Sequence, residues 1–252
     1  RIVSGILKAL IFNVGEYSFQ DLYYIQFSDR NTRNSDSVDF YSGHCAGITE
    51  SRDCRAEKEI VTMDIRTYFN QRAAHWDDGE QSVDQIRRMI AFLSDIQEGM
   101  SVLDVACGTG AMFEALRERK PSHITAVDLS EKMIEIAARK VEGDSLFELQ
   151  CRDLFEMTQE TFDRIIIYNA YPHFMEKDKV VQEGGRLLNP GGRFIVAHGA
   201  CREKINGCHT NVPKEITSGL LSAKEESRLW ETCFSIDILI DTEQFYMFSG
   251  VK

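Results

Sequence analysis

The stretch VLDVACGTG, residues 102–110, decides the fold class of this chain. Its first four residues have the apolar character of a buried strand, and the residues after it follow a helical pattern. A strand that enters a helix through a glycine loop places the glycines at the carboxyl edge of a parallel sheet, where open α/β sheets bind their ligands. Gly108 and Gly110 allow the backbone to approach a ligand and to adopt conformations that a Cβ disfavours.

Helical and strand patterns alternate through the chain after Met63. The predicted strands are Ser101–Val105, Ile124–Val127, Leu146–Leu149, Phe162–Tyr168, Arg193–Ala197, Phe234–Ile240 and Gln244–Gly250. The predicted helices are Ser82–Gln97 with Gly99 as its stop, Ala111–Arg119, a helix capped by Ser130, Glu176–Leu188, and Ser222–Cys233 with a Ser222/Glu225 capping box. We therefore predict an α/β fold with a doubly wound, seven-stranded, mostly parallel sheet and a C-terminal antiparallel hairpin.

Two carboxylates on neighbouring strands indicate a nucleoside ligand. Asp104 lies in the first strand, and Asp128 follows the second strand about 20 residues after the glycine loop, the spacing of nucleoside-binding α/β units. A carboxylate at the position of Asp128 can accept hydrogen bonds from both ribose hydroxyls. A structural role is the alternative for each, because an Asp can also bond its own loop or turn.

These motifs resemble the class I S-adenosylmethionine-dependent methyltransferase family, over about residues 64–252. The resemblance implies a Rossmann-like methyltransferase fold and S-adenosylmethionine as cofactor. It also implies that residues 68–77 form a lid helix that covers the cofactor. It also implies that Asp153 accepts from the adenine amine, that Leu154 packs on the adenine ring, and that residues 168–174 face the methyl group. The cofactor-binding candidates are Tyr68, Trp76, Asp104, Ala106, Cys107, Gly108, Gly110, Asp128, Leu129, Met133, Asp153, Leu154, Asn169 and Ala170.

The predicted reaction is in-line displacement at the cofactor's methyl carbon by an atom of a small-molecule acceptor. A general base is needed only if the acceptor keeps its proton at neutral pH, and His173 and His198 are the candidates. The insertion at residues 200–220 is predicted to help enclose the acceptor, because loops on a rigid sheet carry specificity.

Two other functions remain open from the sequence. A nicotinamide-dependent oxidoreductase would have a third glycine at the position of Phe113. A non-catalytic nucleoside-binding module would share the pocket with an enzyme, and the sequence hardly separates the two.

Composition limits the partners and the compartment. The net charge of -11 argues against nucleic acid, and no stretch has the roughly 18 apolar residues of a membrane span. The seven cysteines are an odd number without close pairs, which favours a reduced, cytoplasmic protein without a disulfide framework. We predict no metal site, because Cys201, Cys208 and His209 lack standard zinc spacing.

Residues 1–62 differ from the patterned part and form a separate N-terminal extension in our interpretation. Residues 28–37, SDRNTRNSDS, are strongly polar and predict a loop or disorder. Lys58-Glu59 can be encoded by AAGGAG, a bacterial ribosome-binding sequence, shortly before Met63. One hypothesis is therefore that 63–252 is the methyltransferase domain and 1–62 is translated upstream sequence; the alternative is a genuine extension that packs on the domain.

Overall fold

The computed structural model describes residues 64–78, 84–158 and 160–252. The predictions for residues 1–62 and for the start of the predicted helix at Ser82 lie outside these ranges. The α-helices are α1 Ile65–Arg72, α2 Asp84–Leu93, α3 Phe113–Arg117, α4 Glu131–Lys140, α5 Lys177–Leu187, α6 Arg202–Cys208 and α7 Ala223–Trp230. The strands are β1 Ser101–Val105, β2 His123–Asp128, β3 Phe147–Cys151, β4 Phe162–Tyr168, β5 Leu188–His198, β6 Ser235–Asp241 and β7 Tyr246–Val251.

The seven strands form a single sheet in the order β3-β2-β1-β4-β5-β7-β6. The first five pair in parallel, and β7 pairs antiparallel with both β5 and β6. The prediction of a mostly parallel, seven-stranded sheet with a closing antiparallel hairpin is confirmed. The strand order reverses between β1 and β4, so a topological switch point lies at the carboxyl ends of these two strands.

Burial explains why the central strands hold their positions. In β4, Ile165, Ile166 and Ile167 are completely buried, as expected for a strand covered by helices on both faces. One face packs in a core with Phe194 and Trp230, and the other packs with Ile90 of α2. The carboxyl ends of β1 and β2 are thereby fixed on a rigid sheet.

Several predicted boundaries are wrong by a few residues. Helix α2 ends at Leu93 and not at Gln97, because Asp95 already adopts the left-handed conformation (φ 53°) two residues after Leu93. Gly99 also has a positive φ (87°), but it lies beyond the end of the helix. The fifth strand was predicted to begin at Arg193, but β5 already begins at Leu188, and its register with β4 shifts between Phe162 and Arg164. The capping box at Ser222 and Glu225 is confirmed.

The insertion at residues 200–220 contains helix α6, which the sequence did not predict. Its later part contacts the segment after β4, since Ser218 N donates to Pro172 O at 2.8 Å. Across the described ranges, the helices are all too short or too polar to span a bilayer.

Candidate cofactor and acceptor site

The loop after β1 has an unusual backbone. Ala106, Gly108 and Gly110 have φ angles of 53°, 57° and 89°, a region that L side chains rarely adopt. A Cβ on Gly110 would lie 2.5 Å from the ring of Phe113, so glycine is required there for space as well as for conformation. Strain of this kind at a sheet edge is typical of ligand-binding loops.

Asp128 holds this loop in place. Its Oδ2 accepts a hydrogen bond from Gly108 N at 2.9 Å, and its Oδ1 accepts from Ser130 N at 2.8 Å. Burial raises the pKa of Asp128 despite these two bonds. Each carboxylate oxygen has a second lone pair, so Asp128 can still accept from ribose hydroxyls while it positions the loop.

Asp104, at the end of β1, has a buried polar atom without a partner in the described part of the chain. Its side chain is 1% exposed, and Oδ2 has no hydrogen-bond partner among the described residues. Burial, together with the nearby charge of Asp128, raises the pKa of Asp104 to about 8. A buried polar oxygen without a partner is costly, so Oδ2 of Asp104 is available to a hydrogen-bond donor.

The segment that contains α1 and Trp76 contacts the loop after β1 and the loop after β2. These two loops form what we call the cofactor edge. Asn70 Oδ1 in α1 accepts from Ser130 Oγ at 2.6 Å, and Thr109 Oγ1 donates to Asp77 Oδ1 at 2.6 Å. Trp76 Nε1 lies 3.8 Å from where a Cβ on Gly108 would be. The predicted lid helix is shorter than the range 68–77, because the α-helix ends at Arg72 and a 3₁₀ turn follows.

The sequence analysis did not single out Asn70 and Thr109, which contact other elements of the candidate site. Both contribute by tying elements together, and their side chains alone give no signal of that. Asp77 could have been found, because it ends the segment that resembles a lid helix.

The other candidates after β2 and β3 differ in what they can offer a ligand. Met133 and Leu154 are each 2% exposed, so their side chains serve mainly the protein interior. Asp153 caps a 3₁₀ turn through Oδ1, which accepts from Phe155 N at 3.0 Å, and the adenine role stays a prediction. Leu129 is half-buried beside them, and Cys107 is buried, which raises the pKa of its thiol.

The candidates on the other side of the loop occupy the switch point. Asn169 follows β4 with a φ of 55°, and its Oδ1 accepts from Gly199 N at 2.9 Å. Ala170 packs against the core beside it. Tyr68 of α1 is 9% exposed, with the Arg72 guanidinium 3.6 Å from its ring centroid, so one of its faces is already covered.

Three histidines gather at the ends of β4 and β5. His173 Nε2 lies 3.3 Å from His209 Nε2, and burial lowers the pKa of His173 to about 4. His198 is completely buried, its two ring nitrogens lack partners among the described residues, and burial lowers its pKa to about 3. Of the two predicted base candidates, His173 is therefore the more accessible.

The fold is shared by solved structures of Rossmann-like methyltransferases. Solved structures with the same fold include the N-methyltransferase NodS from Bradyrhizobium japonicum WM9 with S-adenosylhomocysteine (TM-score 0.58, 14% identity, 75% of this chain and 98% of that one). A second is a DhpI complex with S-adenosylhomocysteine (TM-score 0.59, 18% identity, 75% and 94%).

Residues 103–196 match the family model described as a methyltransferase domain. Methyltransferase GfsG of Streptomyces halstedii is 27% identical over 139 residues, which cover 53% of this chain and 49% of that protein. The ubiquinone biosynthesis O-methyltransferase of Idiomarina loihiensis is 27% identical over 160 residues, or 59% and 65%. The chain thus spans less than two thirds of these relatives. Over these parts of its length the chain is similar to methyltransferases, and its match to the methyltransferase-domain model covers residues 103–196.

Proposed function

We propose that this protein transfers a methyl group from S-adenosylmethionine to a small-molecule acceptor by in-line displacement. The observation that carries the proposal is the carboxyl edge of β1 and β2, where Asp128 fixes the backbone of Gly108 and Asp104 presents a buried oxygen without a partner among the described residues. These residues fit an adenosyl ligand with a cationic amino-acid end.

The residues of this edge divide the work of binding in the proposed mechanism. Bound S-adenosylmethionine supplies a methyl group on a positively charged sulfur. Asp128 would hold the ribose while it keeps the glycine loop in position, and Asp104 would accept from the cationic amino group. Trp76, beside Gly108, would exclude water and offer a π face to positive charge.

Positioning is the main contribution that the protein must make. Holding donor and acceptor in line can lower a barrier by roughly 7–11 kcal/mol in favourable cases. The acceptor would lie between the α1 segment, residues 168–174 and the 200–220 insertion. The names of relatives such as the ubiquinone biosynthesis O-methyltransferase support a small-molecule acceptor. The free cysteines of the described part support a reducing, cytoplasmic location.

The test is incubation of the protein with methyl-labelled S-adenosylmethionine and a metabolite extract. We expect label in a small molecule with the natural chain and little label with Asp128→Asn. Binding of S-adenosylhomocysteine without any transfer would favour the non-catalytic module. Binding of NADH without binding of S-adenosylhomocysteine would favour the oxidoreductase.

A further inference from the structure

The two histidines that face each other at the acceptor side have a defined hydrogen-bond arrangement. His173 Nδ1 lies 2.8 Å from Ile216 O, and His209 Nδ1 lies 2.8 Å from Ile205 O. The two Nε2 atoms are 3.3 Å apart. His173 follows β4 and His209 follows α6, so the pair joins the sheet edge to the insertion.

These contacts fix the tautomers. A carbonyl oxygen only accepts hydrogen bonds, so each Nδ1 must carry a proton. A neutral imidazole with a protonated Nδ1 has a lone pair on Nε2. Two such lone pairs therefore face each other when both rings are neutral, and one added proton between them converts this repulsion into a hydrogen bond.

The same geometry also suits a cation, but the ligand set is too small. Catalytic zinc sites usually have three protein ligands. Among the described residues, no group of three or more His, Cys, Asp or Glu side chains is arranged around one point. A proton is thus the better occupant of the gap between His173 and His209.

The surroundings of His173 favour its neutral form at pH 7, so its Nε2 lone pair carries no proton. His173 is pushed towards the neutral form by burial first, and then by its neighbour His209. His198 on β5 is close enough to feel both of these histidines and Lys177, which begins α5. Lys177, which acts on His198, is itself held by an ion pair with Glu226 at 2.7 Å.

Aromatic rings connect the pair to the cofactor edge. Phe69 of α1 packs edge-on against His173 with ring centroids 5.0 Å apart, and against Trp76 at 5.5 Å. Trp76 in turn lies beside Gly108. An acceptor placed between Trp76 and His173 would therefore meet the aromatic side chain of Phe69, and such a contact suits an aromatic ring.

We propose that His173, paired with His209, removes the proton from a hydroxyl group on an aromatic acceptor as that oxygen is methylated. The inference rests on the proposed methyltransferase function. A hydroxyl needs such a base because a phenol keeps its proton near pH 7, whereas an amine can attack first and lose its proton later. His173 is the catalytic residue, and His209 is a positioning residue that shares the proton.

The step balances in atoms and charge. An oxygen lone pair forms the new O–CH₃ bond while the S–CH₃ bond breaks and its electrons stay on sulfur. The hydroxyl proton moves to the Nε2–Nε2 gap of the pair. The products are a methyl ether, the uncharged thioether S-adenosylhomocysteine, and one proton, which the pair later returns to water.

The protonation of the pair can be measured without any acceptor. In ¹⁵N-histidine-labelled protein with EDTA at pH 7, NMR should show a protonated Nδ1 and a bare Nε2 on both rings. Acidification should add one proton shared by the two rings, and His209→Gln should abolish the shared signal. A proton on either Nε2 at pH 7, two independent uptakes, or zinc that stays bound to both Nε2 atoms through dialysis would overturn the inference.

The catalytic role is tested with the labelled methyl donor and the metabolite extract. His173→Gln should lower the transfer rate about 100-fold at pH 7, within the usual range for a lost general base, while affinity for S-adenosylhomocysteine is kept. His209→Gln should change the pH profile of the transfer rate more than it changes the Kd for S-adenosylhomocysteine. For both variants the deficit should shrink at high pH, where a phenol ionises by itself.

A matched control separates this role from a general effect of losing a histidine. His123, at the opposite end of β2, contacts Glu148 at 3.2 Å, and His123→Gln should transfer methyl groups normally. Transfer that is unchanged in His173→Gln would overturn the inference and leave the proposed function standing. If the natural chain binds S-adenosylhomocysteine but methylates nothing in the extract, the proposed function fails and the catalytic role fails with it.

Discussion

Asp128 shows how one side chain can serve both a loop and a ligand. Its carboxylate accepts from Gly108 N and Ser130 N, which belong to the loops after β1 and β2. The glycine loop and the start of α4 are therefore held at a fixed distance before any ligand arrives. Such preorganisation lowers the ordering cost of binding.

Glycine at position 110 can be tested against a glycine with the same backbone conformation elsewhere. Gly110→Ala places a Cβ 2.5 Å from the Phe113 ring, at a φ of 89°, so the loop must move and the Kd for S-adenosylhomocysteine should rise at least 10-fold. Gly143 has a φ of 77° but open space around it. Gly143→Ala should lose about 1 kcal/mol of stability and keep its affinity, by calorimetry. Equal affinities for the two variants would remove Gly110 from the site.

Asp104 should change its ionisation when the cofactor binds. With a pKa of about 8, Asp104 is mostly protonated at pH 7, and a cationic amino group beside it should drive that proton off. Calorimetric titration with S-adenosylhomocysteine in buffers of different ionisation enthalpy should therefore report release of up to about one proton. Asp104→Asn should release none. A buffer-independent enthalpy for the natural chain would mean that Asp104 does not ionise on binding.

At the scale of elements, the α1 segment is attached to the cofactor edge by a few polar contacts. Thr109→Val removes the hydrogen bond to Asp77 with little change in volume, so the Trp76 region should loosen and S-adenosylhomocysteine should dissociate faster. The two tryptophans of the chain allow the measurement, because Trp230 is completely buried whereas Trp76 is 44% exposed. A binding-induced fluorescence change should disappear in Trp76→Phe. An unchanged dissociation rate in Thr109→Val would show that this contact does not secure the lid.

The sequence predicted the elements well where one pattern dominates. The apolar run of β4 and the Ser222 cap of α7 are local signals, and both are confirmed. The predicted end of α2 was wrong because Asp95 has a left-handed backbone. The sequence suggested that conformation at Gly99, since glycine adopts it most readily. Helix α6 was missed because it has no buried residue and therefore no apolar stripe to detect.

The site was predictable in part for the same reason. The glycine loop and its two acids form a local motif, so their common location at one sheet edge followed from the strand pattern. The His173–His209 pair depends on a contact between residues 36 apart, which a single sequence does not encode in any periodic way. Asn70 and Thr109 were missed because each acts through a partner on another element.

For the whole molecule, buried histidines should make stability sensitive to acid. The folded-state pKa of His173, about 4, lies below its unfolded value of 6.5, so the unfolded chain binds this proton first as the pH falls. The free energy of unfolding should therefore decrease between about pH 6.5 and 4, by at most roughly 3 kcal/mol from His173. Urea unfolding at several pH values should show a smaller decrease in His173→Gln. Parallel curves for the two proteins would contradict this assignment.

The central claim is that the carboxyl edge of β1 and β2 binds an adenosyl sulfonium cofactor. Its most direct test is calorimetric titration of the natural chain and Asp128→Asn with S-adenosylhomocysteine, with Glu148→Gln on the exposed part of β3 as control and NADH as the competing ligand. We predict one S-adenosylhomocysteine per chain and no NADH. Asp128→Asn should weaken binding by on the order of 1–3 kcal/mol, and the control should bind normally. Binding of NADH alone, or unchanged affinity in Asp128→Asn, would contradict the assignment of this site.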